Sequence, residues 1–165
     1  EEKEMKKEEK TNVCRILDAA GVKYNMFEID TEKALSGTEI ALRLGFPPER
    51  TFKTLVTAAP SKKHYVFAIP SGAELDLKKA ARAVGEKSVA MIRFDELLPV
   101  TGYVHGGCSP VGMKKLFTTV LDDSARSAGS ILLSAGRIGR HIEISPAELA
   151  RAIPFSYADV TAGEH

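Results

Sequence analysis

"LFTTVLDDSARSAGSILLSAGRIGRHIEIS", residues 116–145, contains three strand candidates in direct succession. "LFTTVL", "SILLSA" and "HIEIS" are rich in residues that suit a pleated sheet, and clusters of Asp, Ser and Gly separate them. No helical stretch intervenes. Successive strands of this kind break the strict strand–helix alternation of a parallel α/β sheet and favour an α+β domain.

The flanking chain fits that class. Thr11 is placed to cap a helix whose apolar positions Val13, Ile16, Leu17 and Ala20 follow helical spacing, and Gly21 can end it. A strand is expected around Tyr24 to Ile29. "SGTE", Ser36–Glu39, has capping-box spacing ahead of Ile40, Leu42 and Leu44, with Gly45 as the stop. "TFKTLV" and "HYVFAIP" read as strands around the polar break "PSKKH". Asp76 to Val84 reads as a helix with lysines on its outer side, "SVAMI" as a strand, and "SYADV" as a final strand. Ser145, Pro146 and Glu148 mark the start of the last helix as N-cap, N1 proline and N3 carboxylate. The expectation is one domain over residues 11–165, preceded by a charged extension over residues 1–10, "EEKEMKKEEK".

Composition narrows the function. A chain of 165 residues, 44% hydrophobic and 27% charged, is long enough to bury a core and too apolar to be disordered throughout. Its apolar runs are too short to cross a bilayer, which points to a cytoplasmic protein. A net charge of +1 gives no generic attraction to nucleic acid, so an RNA partner would have to be met by local patches. Cys14 and Cys108 stand alone, and the four histidines show no ligand spacing, so neither a disulfide nor a metal site is expected.

Three stretches carry chemistry. Lys53 interrupts the strand "TFKTLV"; it can snorkel to water from a strand end, or be a cation held at a pocket floor. "TGYVHGGCSPVGMKK", Thr101–Lys115, sets Gly106 and Gly107 side by side, as either a tight turn or a loop whose bare N–H groups approach a ligand. "SAGRIGRHIE", Ser134–Glu143, is a hairpin turn whose arginines are also suited to phosphate. His105 and Cys108 do not by their spacing make a nucleophile–base pair, and no third orienting group is indicated.

Taken in order, "KTNVCRILDAAGVKY", "FKTLV", "ELDLKKAARAVGEKSV", "TGYVHGGCSPVGMKK" and "LLSAGRIGRHIEISP" make the chain resemble the YbaK/EbsC family of aminoacyl-tRNA deacylases, related to the editing domain of prolyl-tRNA synthetases. The resemblance runs from about Thr11 to Val160. It implies a mixed, mostly antiparallel sheet or partial barrel surrounded by helices. It also implies a free-standing editing enzyme without a cofactor that removes cysteine from tRNA(Pro), with Cys-tRNA(Cys) as a further candidate substrate and prolyl-tRNA synthetase as partner.

By the same resemblance Lys53, Gly106 and Gly107 would be catalytic, while Phe27, Ser36, Thr54, Ser134, Gly136 and His141 would bind substrate. The substrate's own thiol would attack the ester, which fits the absence of a Ser/His/Asp set. Phe27, Ser36 and His141 depart from the residues usual in the cysteine-specific branch, so alanine or another small amino acid stays open. A non-catalytic module that binds an acceptor end or a synthetase, and a hydrolase using Cys108, are the rival readings.

Overall fold

The computed structural model describes residues 10–163; the expected charged extension, apart from Lys10, lies outside them. Helix α1 spans Asn12–Ala19, with the Thr11 hydroxyl accepting from the Cys14 N–H at 3.2 Å. It leads to strand β1, Asn25–Glu28, and helix α2, Gly37–Leu44, which Ser36 caps and a left-handed Gly45 ends. Strands β2 (Phe52–Ala58) and β3 (His64–Pro70) follow, then helix α3 (Leu77–Ala83), whose first amides are held by Asp76. After the short strand β4, Ala90–Met91, a single 3-10 turn over Phe94–Glu96 runs into helix α4, Leu97–Thr101. The sequence reading missed α4, because Pro99 and the β-branched Val100 and Thr101 mask its helical character. The chain closes with β5 (Thr118–Asp122), β6 (Ile131–Arg137), β7 (Arg140–Ile144), helix α5 (Pro146–Leu149) and β8 (Ser156–Ala158).

These strands form two sheets, one in the order β1-β7-β6 and one in the order β4-β2-β3-β5-β8. Pairing is antiparallel except where β5 lies parallel to both β3 and β8. The α+β class and the mixed, mostly antiparallel pairing are as expected, but the sheets do not close into a barrel. Among the described residues a backbone bridge between Thr51 and Leu132 links them.

Strand β3 is apolar throughout because both of its faces are covered. Val66 and Ala68 point into a core shared with Val13 and Leu17 of α1, Leu133 of β6 and Ile142 of β7. Tyr65, Phe67 and Ile69 point the other way, onto Ala80 and Ala81 of α3. Each large side chain buried this fully stabilises the fold by roughly 1.5–3 kcal/mol. The result is a rigid seam between the sheets, from which the first residues of β2 project.

Candidate functional site

A cavity of about 370 Å3 lies at that seam. Its size falls in the ~300–1,000 Å3 range of small-molecule sites. Thr51 and Leu132, the bridge residues, line it, so the junction of the sheets forms part of its wall. His141 is buried beneath it, whereas Ser36, His105 and Gly106 are exposed around it. α2 supplies Gly37 and Ile40, and α4 supplies Leu97.

Lys53 and Thr54 enter from β2, half-buried. Desolvation holds the Lys53 ammonium below the ordinary lysine value of 10.5, while the carboxylate of Glu74 pulls in the opposite direction. No side chain among the described residues hydrogen-bonds or ion-pairs with that ammonium. The Thr54 hydroxyl is buried and, among the described residues, also has no partner. An orphaned buried polar group is costly and uncommon, and one at a cavity wall marks a place where a ligand can supply the missing bond.

Ser134 and His141 lie opposite each other in the β6–β7 register and both line the cavity. Ser134 Oγ accepts from the Gly136 N–H at 3.1 Å, which leaves its own proton available to a ligand. Burial lowers the His141 pKa to about 4, so its imidazole is neutral at pH 7 and can donate from one nitrogen and accept at the other. Ser36 stands on the rim as the cap of α2, its hydroxyl accepting from the Glu39 N–H at 3.2 Å.

The other expected residues lie outside the lining. Phe27 sits beside His141 on β1, one strand further out. Gly136 is packed between Val13 of α1 and Tyr103, on the core side of its strand. Gly107 is buried against the backbone of Arg137 and Ile138, and its N–H closes a turn by donating to Val104 O at 3.0 Å. Its neighbours Gly106 and Cys108 are on the cavity wall, and neither of their N–H groups has a partner among the described residues. The loop therefore offers two bare amides, but from positions 106 and 108. A sequence motif shows which loop is glycine-rich; only the turn geometry shows which amides are already committed.

The Cys108 thiol is buried, and desolvation pushes its pKa up to about 12, so it is protonated and a poor nucleophile at neutral pH. His105 packs against Phe94. A larger hollow, of about 710 Å3, adjoins the cavity across Gly37 and Ser71, but Glu49, Glu74 and Asp122 line it, a poor match for phosphate or a developing oxyanion. No group of three or more His, Cys, Asp or Glu among the described residues is arranged to hold a metal, and none of their helices is long and apolar enough to cross a membrane.

Fold and cavity together define an α+β domain with a small, partly desolvated site lined by the Lys53 cation, the loop residues Gly106 and Cys108 and the orphaned Thr54 hydroxyl. That equipment suits a polar carbonyl compound. A sequence profile described as the aminoacyl-tRNA editing domain matches residues 31–152, and the chain belongs to that family. It is 40% identical over 160 residues, 96% of this chain and 98% of the other, to the Enterococcus faecalis (strain ATCC 700802 / V583) protein named "Putative Cys-tRNA(Pro)/Cys-tRNA(Cys) deacylase EbsC". A proline–tRNA ligase of Pelobacter propionicus (strain DSM 2379 / NBRC 103807 / OttBd1) is 26% identical over 103 residues, 62% of this chain and 18% of the ligase. Among solved structures, the hypothetical protein APE2540 superposes with a TM-score of 0.84 at 26% identity, covering 92% of this chain and 100% of that one.

Proposed function

We propose that this protein is an aminoacyl-tRNA editing deacylase that releases mischarged cysteine from tRNA(Pro). The observation that carries the reading is that Lys53, Thr54 and Gly106 line one cavity of small-ligand size, and that among the described residues the Lys53 ammonium, the Thr54 hydroxyl and the Gly106 amide have no partner. Family membership and the name of the 40%-identical relative supply the substrate class.

An aminoacyl ester is already activated, so little covalent help is needed from the protein. In the reading favoured here the cysteinyl thiol attacks its own carbonyl carbon. The S–C bond forms, the C–O bond to the ribose breaks, and the thiol's proton ends on the departing ribose oxygen. Lys53 and the amides of Gly106 and Cys108 stabilise the negative charge on the carbonyl oxygen, each well-aimed donor contributing ~10²–10³ in rate. Holding thiol and carbonyl in contact makes the step effectively unimolecular. Thr54, Ser134 and neutral His141 orient the amino group and ribose by hydrogen bonds.

With a net charge of only +1, much of the grip on tRNA would come from a partner, and we assign that role to prolyl-tRNA synthetase. The deciding experiment compares deacylation of Cys-, Ser- and Ala-tRNA(Pro) by the protein and by Lys53→Ala. Loss of the Cys activity in the variant, with tRNA binding retained, supports the enzyme; tRNA binding without turnover by either protein overturns it. Loss of rate with Ser in place of Cys supports thiol attack, whereas equal rates point to activated water.

A further inference from the structure

Phe94 is 75% exposed on the 3-10 turn that runs into α4, the helix that supplies Leu97 to the cavity wall. The turn is braced. The Arg93 N–H donates to Glu96 Oε1 at 3.0 Å, the Glu96 N–H donates to Arg93 O at 2.9 Å, and the Arg93 guanidinium holds Asp95 at 3.1 Å. The braced turn thus holds a large aromatic face open to solvent, where a ligand can reach it.

The ring has one neighbour of consequence. His105 lies with its centroid 5.1 Å from that of Phe94 at an interplanar angle of 45°, and His105 is itself on the cavity wall, directly before Gly106. The pair is thus a tilted aromatic ledge, continuous with the rim and joined through the chain to a bare amide of the site. The Lys114 ammonium is anchored on α4, donating to Pro99 O at 3.1 Å, and Lys115 beside it is exposed. Aromatic faces with cations nearby are the equipment that single-stranded nucleic acid requires, since every base offers a π-face whatever its identity. An RNA whose terminal ester occupies the cavity must carry its preceding nucleotide out across the rim.

We infer that Phe94 and His105 form a stacking ledge for the nucleobase that precedes the aminoacylated nucleotide of a single-stranded RNA end. The inference rests on the deacylase reading for what occupies the cavity, and it assigns a second contact outside it. Stacking there would also steady the loop that carries Gly106, because His105 is its immediate neighbour.

Two measurements test it. The first compares kcat/KM for a cysteinylated short RNA with an unpaired 3′ end and for cysteinyl-adenosine, which lacks the preceding nucleotide. In Phe94→Ala the ratio of the two should fall ~5–150-fold, corresponding to one base–aromatic stack, and Phe94→Trp should restore it; an unchanged ratio overturns the ledge. The second needs no catalysis: an uncharged single-stranded RNA with 2-aminopurine next to its 3′-terminal nucleotide should lose fluorescence on binding the protein, and not on binding Phe94→Ala. Equal quenching by both proteins, or none by either, overturns the ledge even if deacylation is intact. Quenching lost only in the variant supports the ledge even if neither ester is hydrolysed, in which case the deacylase reading alone fails. If Phe94→Ala disrupts association with another protein while both RNA readouts are unchanged, the surface is a protein-docking face and the inference is wrong.

Discussion

Gly37 and Ser71 are in such close contact that a Cβ on the glycine would lie 2.1 Å from Ser71 Cβ and 2.3 Å from its hydroxyl. This contact seats the first turn of α2 on the end of β3, and both residues line the cavity. The hydroxyl can rotate away, but Ser71 Cβ is fixed to its backbone, so the backbone must give way if the glycine is replaced. Gly37→Ala should cost about 1–3 kcal/mol in urea unfolding, as overpacking does, and should lower deacylation by displacing α2. The double variant Gly37→Ala/Ser71→Gly should recover most of both losses.

Lys53 gives a prediction with a defined sign. Lys53→Met should lower kcat by ~10²–10³ without unfolding the protein, because it replaces a poorly solvated ammonium by an apolar chain of similar length. The wild-type rate, corrected for spontaneous ester hydrolysis, should fall as pH rises through the lowered lysine pKa, before 10.5 is reached. Between the folded and unfolded values the unfolded chain holds more protons. Wild-type stability relative to Lys53→Met should therefore rise with pH across that window.

His141 acts at the acid end. Its folded pKa of about 4 lies below the ordinary 6.5, so the unfolded chain takes up a proton first as pH falls. Its contribution to stability is complete above 6.5, is lost progressively down to about 4, and levels off below. The full loss is roughly 3 kcal/mol. Denaturation midpoints at pH 7 and pH 4.5 should differ more for the wild type than for His141→Gln.

The glycine loop separates two kinds of damage. Gly106→Ala forces a side chain onto a φ of +86° and against Ala34, whose Cβ would be 2.4 Å away, at the cavity wall. Deacylation should fall sharply. In Gly107→Ala the new Cβ meets the backbone of Arg137 and Ile138 at 3.2 Å, so stability should fall first, read as a lower Tm. Cys108→Ala should retain deacylation, because the buried thiol stays protonated and contributes only its backbone amide.

Much of the fold was legible because its signals are local. Thr11, Ser36, Asp76 and Ser145 each cap a helix through their own side chains, within three residues of the amide they hold. The strands 118–122, 131–137 and 140–144 follow from residue type and the turns between them. The parallel partners of β5 were not legible, since pairing at a distance is settled by how both faces of β3 become covered. At the site, Lys53, Thr54, Ser134 and His141 could be named from motifs, whereas the walls contributed by Ile40 and Leu97 are ordinary apolar residues that look like core until the helices dock.

The residues by themselves determined the helices other than α4, most of the strands and the presence of a lysine and a glycine-rich loop, since caps, periodicity and turn chemistry act over a few positions. Tertiary structure alone decided that, among the described residues, the Lys53 ammonium and the Gly106 and Cys108 amides have no partner while the Gly107 amide closes a turn, and that Phe94 stands against His105. Desolvation and hydrogen-bond commitment depend on neighbours far away in the chain, and those neighbours exist only once the two sheets meet at Thr51 and Leu132.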